Sequence, residues 1–245
     1  MEKLVIDKGI IFYTDNRLVE LDKDWMLPGL VMDSIKASGL PITSCSLKPI
    51  DFGNNIVLNL ERGVMTYYHQ ILTALEASKE KYVFFCEHDV IYHKSHFDFT
   101  PPRDDTFYYN VNVWRCHPRR NICITYDQMR SVSGICANRE LAIRHYKARI
   151  AYCYEKGFDK LPKTKNPKWA RQMGFEPGKN IRSSSFSMDE LDTWKSEYPN
   201  LDIRHRLTMT IPKLNLEQFA TKPKNWQQVT IDKIPGWDIK TMFKI

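Results

Sequence analysis

The stretch Lys81–Asp89, KYVFFCEHD, decides the reading of this chain. From Tyr82 to Cys86 the run is apolar and mixes aromatic with β-branched side chains. Such a run, without polar alternation, predicts a strand buried on both faces. It ends in Glu87-His88-Asp89, two carboxylates one residue apart. In open α/β sheets, ligands bind beyond the carboxyl ends of the strands. Hard cations such as Mg²⁺ are held by one or two carboxylates together with substrate phosphates. The stretch therefore predicts a divalent-metal site for a phosphorylated substrate. The alternative is a pair of ordinary loop carboxylates after a strand.

Working back from this strand, Val64, Tyr68, Ile71, Leu72 and Leu75 fall on one face of a helix over 64–78. Gly63 and Arg62 precede it. A helix N-terminus beside an arginine is an anion site, so Arg62 is a candidate phosphate contact; a solvated arginine is the alternative. Further back, Gly9–Tyr13 (GIIFY) predicts a first buried strand that runs into Thr14-Asp15-Asn16. In a doubly wound sheet that position suits nucleotide binding. A turn held by local Asp and Asn hydrogen bonds is the competing reading. Between them lie a short helix, Pro28–Ser38, closed by Gly39, a strand at Pro41–Leu47, and a short apolar run at Asn54–Leu60. Strands alternating with helices imply a mainly parallel sheet covered on both faces.

Beyond Asp89 the pattern changes. Thr106–Cys116, Asn121–Tyr126 and Ser131–Ala137 each read as strands, with no helix between them, which predicts an antiparallel part. His93 and His96 lack supporting carboxylate or thiol spacing and read as solvent or loop histidines. Asn138 opens a helix to about Lys156, closed by Gly157. Ser187 to Glu190 fits an S-x-x-E capping box and predicts another helix start. Leu201–Met209 reads as a strand, and the tail from Pro212 as irregular structure wrapped on the body.

The chain has 245 residues, 42% hydrophobic and 27% charged, enough for one large domain. The expected division is a nucleotide-binding half over 1–100, a second half over 101–210 and a tail over 211–245. No segment approaches the about 18 apolar residues of a membrane span. The N-terminus lacks the layout of a signal peptide, so the expected location is the cytoplasm. The six cysteines form no C-x-x-C pair and read as buried free thiols. Net charge is +7. Lys160–Lys179 carries six basic residues and one acid. There Lys163, Lys165, Lys168 and Arg171 surround Trp169, a mix able to grip a phosphate backbone and stack on bases. A solvated basic loop is the alternative.

Taken in order, GIIFYTDN, LTALEASKEKYVFFCEHD, SVSGICANRELA, MDE at 188–190 and DIRH at 202–205 resemble a nucleotide-sugar glycosyltransferase of the GT-A fold. The resemblance covers roughly residues 9–210. It implies an α/β, Rossmann-like, mainly parallel central sheet with helices on both faces and a smaller antiparallel part. It implies Mn²⁺ or Mg²⁺ bound at Glu87 and Asp89, with Glu87 standing where an aspartate is more usual. A histidine that completes the metal site in some members matches His205. The donor would be a UDP-sugar, met by Thr14, Asp15, Asn16, Arg62, Glu87 and His88. In inverting members an acidic pair supplies the base, here Asp189 or Glu190; a retaining enzyme would void that role. The whole is similar to small viral glycosyltransferases that decorate hydroxymethylated bases in bacteriophage DNA. This implies a DNA acceptor and no membrane partner. A transferase building capsule or lipopolysaccharide is the second expectation, and a non-catalytic nucleic-acid-binding protein the third.

Overall fold

The computed structural model describes residues 7–17, 27–161, 168, 174–179, 189–208, 213–238 and 241–242. The strand predicted from KYVFFCE lies at the middle of a seven-stranded sheet. Going outward from it on one side are β1 (Lys8–Thr14), β2 (Ile42–Ser46) and β3 (Asn54–Val57), all parallel to it and to one another. The central strand itself is β4 (Tyr82–Glu87). On its other side come β9 (Ile135–Asn138), antiparallel, then β6 (Thr106–Asn110) and β10 (Glu190–Trp194).

Side-chain alternation along these strands creates two cores. Ile11, Tyr13, Val83 and Phe85 point to one face and meet Tyr68, Ile71 and Leu75 of α2 (Val64–Ala77) and Leu141, Tyr146 and Ile150 of α3 (Arg139–Glu155). Ile10, Phe12, Phe84 and Cys86 point to the other and meet Leu27, Val31 and Ile35 of α1 (Leu27–Lys36). Strands buried on both faces need no polar alternation, which is why the sequence shows continuous apolar runs. The mainly parallel α/β architecture expected from the sequence is thus present.

The second core is also closed by a five-stranded, mostly antiparallel sheet. Its order is β12 (Gln227–Val229), β8 (Ile122–Thr125), β7 (Val113–His117), β11 (Asn200–Ile203) and β5 (Val90–Ile91). It contributes Trp114, Cys116, Leu201 and Ile203 to that core. All six cysteines are free and buried. No described helix is long and apolar enough to cross a membrane.

Five expectations are corrected. Thr106–Cys116 is two strands, not one: β6 ends at Asn110 in the large sheet and β7 begins at Val113 in the small one. Asn110 marks the crossing, since its side-chain oxygen accepts from the Asn112 N–H at 2.9 Å and breaks the ladder there. Ser131–Ala137 begins as a 3₁₀ turn at Val132–Gly134 before β9. The capping-box helix is absent at Glu190, which opens β10 and pairs with β6 in parallel; Ser187 and Met188 lie outside the described residues. Pairing with a neighbouring strand overrides a local capping signal. Lastly, His96 is fully buried rather than solvent-facing. Of the described part of Leu201–Met209, only the residues to Ile203 are strand, and Met209 lies outside the described residues.

Candidate active site

The two sheets diverge at the carboxyl ends of β1 and β4, and a cavity of about 890 Å³ opens between them. Its floor is Glu87-His88-Asp89. The register of β5 against β11 brings a distant segment onto this floor: the Ile203 N–H donates to the Asp89 carbonyl at 2.9 Å. Asp202, Arg204 and His205 thereby stand beside residues more than a hundred positions earlier in the chain.

Each carboxylate is held differently. Glu87 Oε1 accepts hydrogen bonds from the hydroxyls of Tyr13 at 3.1 Å and Tyr67 at 3.2 Å. Burial pushes its carboxyl up to about 8, helped by the neighbouring charges of Asp89 and Asp202. Burial also disfavours the charged form of Asp89. There, however, His205, His88 and Arg204 outweigh it and keep the carboxyl below its ordinary value. Asp202 bonds Arg115 Nε at 3.3 Å and Arg204 Nη1 at 3.1 Å. Arg115 in turn donates to the Tyr126 hydroxyl at 3.2 Å.

His205 is nearly buried. Its Nε2 sits 3.5 Å from Asp89 Oδ2, without hydrogen-bond geometry to it. Its Nδ1 accepts the Leu207 N–H at 3.1 Å. In the neutral ring the proton therefore lies on Nε2, facing the carboxylate. His205 can offer Nε2 to a cation only if the Leu207 contact breaks. Two carboxylates at one strand end, one of them destabilised by burial and then by its neighbours' charge, fit a Mg²⁺-type site completed by water and substrate oxygens. Among the described residues, no cluster of three or more His, Cys, Asp or Glu side chains is arranged to hold a metal ion.

The β1 end gives a second wall. The Thr14 hydroxyl lies 2.8 Å from His88 Nδ1. Asp15 forms an ion pair with Arg62. The Arg62 Nη2 also donates to Leu207 O at 3.3 Å. Asn16 adopts a left-handed backbone, φ 61°, and its side-chain oxygen accepts the N–H groups of Leu47 and Lys48. Its amide thus orders a loop, and Asn16 lines a separate apolar recess of about 50 Å³ rather than the main cavity. Gln70, from the buried side of α2, donates to the Thr14 carbonyl at 2.7 Å and fixes the strand end.

The structure brings Thr14, Asp15, Arg62, Glu87, His88 and Asp89 to one cavity and His205 to its edge. Asp189 and Glu190 are not in the cavity lining. Asp189 Oδ2 is 2.8 Å from Nδ1 of the buried His145, and Glu190 pairs with Lys179. Lys168 is exposed, whereas Lys163, Lys165, Trp169 and Arg171 lie outside the described residues. Sequence reading missed Asp202, Arg115 and Tyr67. Asp202 sat inside the DIRH stretch as an acid in an apolar run. Arg115 interrupts an apolar strand in the same way.

No protein-family model and no curated protein sequence matches this chain. Comparison with solved structures finds weak likenesses, among them the following three. A nucleotidyl transferase from Methanothermobacter thermautotrophicus is 8% identical, with a TM-score of 0.38, covering 61% of this chain and 83% of its own. A Drosophila β1,4-galactosyltransferase 7 variant, in complex with manganese, UDP-Gal and xylobiose, is 12% identical, with a TM-score of 0.36, covering 66% and 76%. An apo-form glycosyltransferase from Streptococcus pneumoniae is 12% identical, with a TM-score of 0.31, covering 66% and 40%. Likenesses at this level assign no family.

Proposed function

We propose that this protein is a metal-dependent glycosyltransferase that moves a sugar from a nucleotide diphosphate to a hydroxyl acceptor. The observation that carries the reading is the cavity floor: paired carboxylates ending a doubly buried strand, facing Arg62 at one wall and Arg204 at the other. A diphosphate has the charge and the acceptor oxygens that such arginines bind. Asp89, with Glu87, would hold Mn²⁺ or Mg²⁺, and the cation would offset charge on the departing diphosphate. A UDP-sugar is the donor this reading favours. His205 would join as a ligand only after releasing Leu207.

The chain's own residues have definable tasks. Tyr13 and Tyr67 fix the Glu87 carboxylate. His88 and Thr14 lock the β1 and β4 ends together. The acceptor hydroxyl must lose its proton to a carboxylate as it attacks the anomeric carbon. Asp189 or Glu190 can serve only if the acceptor approaches from the β10 side, since both lie off the cavity. The favoured acceptor is a hydroxymethylated base in DNA. The net charge of +7 and the basic run Lys160–Lys179 support it.

The test is nucleotide-sugar hydrolysis in the presence of Mn²⁺, with nucleosides from hydroxymethylated DNA analysed by mass in parallel. Asp89→Ala should abolish donor turnover. Unchanged turnover in that variant removes the metal assignment. No added sugar mass with any donor removes the DNA acceptor.

A further inference from the structure

The cavity has two chemically different ends. The end on the large sheet carries Asp15, Arg62, Glu87 and Asp89. The opposite end is built by β7, β8 and the chain after 213, and presents Arg115, Tyr126, Gln128, Arg130, Lys213 and Phe219. Three of these six are cations and none is an acid. Tyr126, Phe219 and Trp226 form a half-buried aromatic cluster behind it. Tyr126 and Trp226 lie within 9° of parallel, centroids 6.0 Å apart, and Phe219 stands edge-on to Tyr126 at 5.4 Å. Lys213 Nζ sits over the Phe219 ring, 4.8 Å from its centroid. Arg130 Nε is buried without a hydrogen-bond partner, although its Nη2 bonds Gln128.

We propose that this end is the acceptor subsite and that it takes a nucleotide unit of a single nucleic-acid strand. A base would lie on the Tyr126–Phe219 aromatics, and a backbone phosphate between Arg130 and Lys213. The proposal rests on the transferase reading and adds where the acceptor binds; an acceptor held there leaves Asp189 and Glu190, which do not line the cavity, without a part in its deprotonation. The wall's chemistry decides between acceptors. Sugar hydroxyls are donors as well as acceptors, so a neutral glycan needs acceptor groups on the protein. This end offers one uncharged amide, a phenol oxygen already bonded by Arg115, the Asp202 carboxylate already paired with Arg115 and Arg204, and two further cations, Arg130 and Lys213. A phosphate is acceptor-only and matches such a wall. Aromatic rings receive a base of any identity through its π face.

The test uses the full chain and a fluorescein-labelled oligothymidylate, with binding followed by anisotropy over a salt series. Each cation neutralising a phosphate on a single strand adds about 0.7 to the slope of log affinity against log salt. The double variant Arg130→Gln/Lys213→Gln should therefore lose about 1.4 from that slope. Both side chains reach solvent, so their removal spares the core. Phe219→Leu keeps an apolar side chain but no stacking face, and should weaken binding on the order of tenfold at constant slope. An unaltered slope and affinity in the double variant overturn the proposal, as does wild-type protein that binds maltohexaose but not the oligonucleotide. UDP-glucose binding to the wild type, measured by calorimetry, reports separately on the donor end. Its absence alongside the expected slopes would remove the transferase and leave the nucleotide subsite standing.

Discussion

Acid should weaken this fold through His96. The ring is fully buried, packed against Phe84 and Tyr92 and stacked on Trp194. Its Nδ1 accepts from the side-chain amides of both Asn110, at 3.0 Å, and Asn200, at 3.1 Å. Nδ1 is therefore committed as an acceptor, and a second proton would face two N–H donors. Burial alone lowers its pKa from 6.5 to about 3. The sign follows directly. Between these values the unfolded chain binds a proton that the folded protein refuses, so stability falls as pH falls. The contribution is complete above 6.5, declines through the weakly acidic range and stops changing below about 3. From pH 7.5 to 5.0 the linkage relation gives a loss of about 2 kcal/mol. His145, lowered to about 4 mainly by burial, adds a similar loss over the same range. The assay is urea unfolding at the two pH values, followed by tryptophan fluorescence. His96→Gln keeps an acceptor for both asparagines but cannot bind the proton. It should start less stable than the wild type and lose about 2 kcal/mol less on acidification. An equal loss in both proteins would refute the argument.

Other outcomes are as specific. Tyr13→Phe and Tyr67→Phe each remove one donor from Glu87 and should cost about 1–2 kcal/mol of stability, measured by urea unfolding. Arg149 is buried and donates from Nε to His145 at 3.0 Å and from Nη1 to the Gly174 carbonyl at 2.8 Å. Arg149→Met should cost ~3 kcal/mol and speed proteolytic cleavage near Gly174; an unchanged cleavage rate would deny that the arginine anchors that segment. Gly53 has φ +64°, and a Cβ there would lie 2.3 Å from the Ile42 carbonyl oxygen. Gly53→Ala should therefore cost about 2 kcal/mol or more, and a neutral result would contradict that contact. Asp89→Asn, isosteric with the native side chain, should lower donor turnover by about 10²-fold or more if that carboxylate supports the diphosphate chemistry.

What the sequence disclosed follows from how local each cause is. β1, β4 and the helix at 64–77 were legible because burial on both faces, or on one helical stripe, writes itself into consecutive residues. Asn138 was legible as a cap because the acceptor and the N–H groups it serves, Glu140 and Leu141, are neighbours. The break between β6 and β7 was hidden. Asn110-Val111-Asn112 keeps the polar–apolar alternation of a strand and contains no glycine or proline, yet the chain changes sheets there. The capping signal at Ser187–Glu190 misled because Glu190 is committed instead to β10 and to Lys179. His96 gave no sign of burial, since its surroundings come from β4, β10 and β11 together. In the cavity, the floor was readable from Glu87-His88-Asp89. The opposite wall was not, because Arg115, Arg130 and Lys213 come to it from separate parts of the chain, with Leu214 packed on Val113, Ile124 and Met129.

The pairing of β11 with β5 also imposes a schedule on the protein's birth. Asp89 leaves the ribosome well before Asp202, Arg204 and His205. At synthesis rates of about 5–20 residues per second, the gap between Asp89 and His205 is roughly 6–23 s. During that interval β1 to β4 and their helices can already be packed, while β5 waits with an open edge and the cavity lacks its far wall. Charge on the half-built floor then stands without its arginines. The first half of the nascent protein can pack before it has a site at all, and an open strand edge is the surface a chaperone would have to shield.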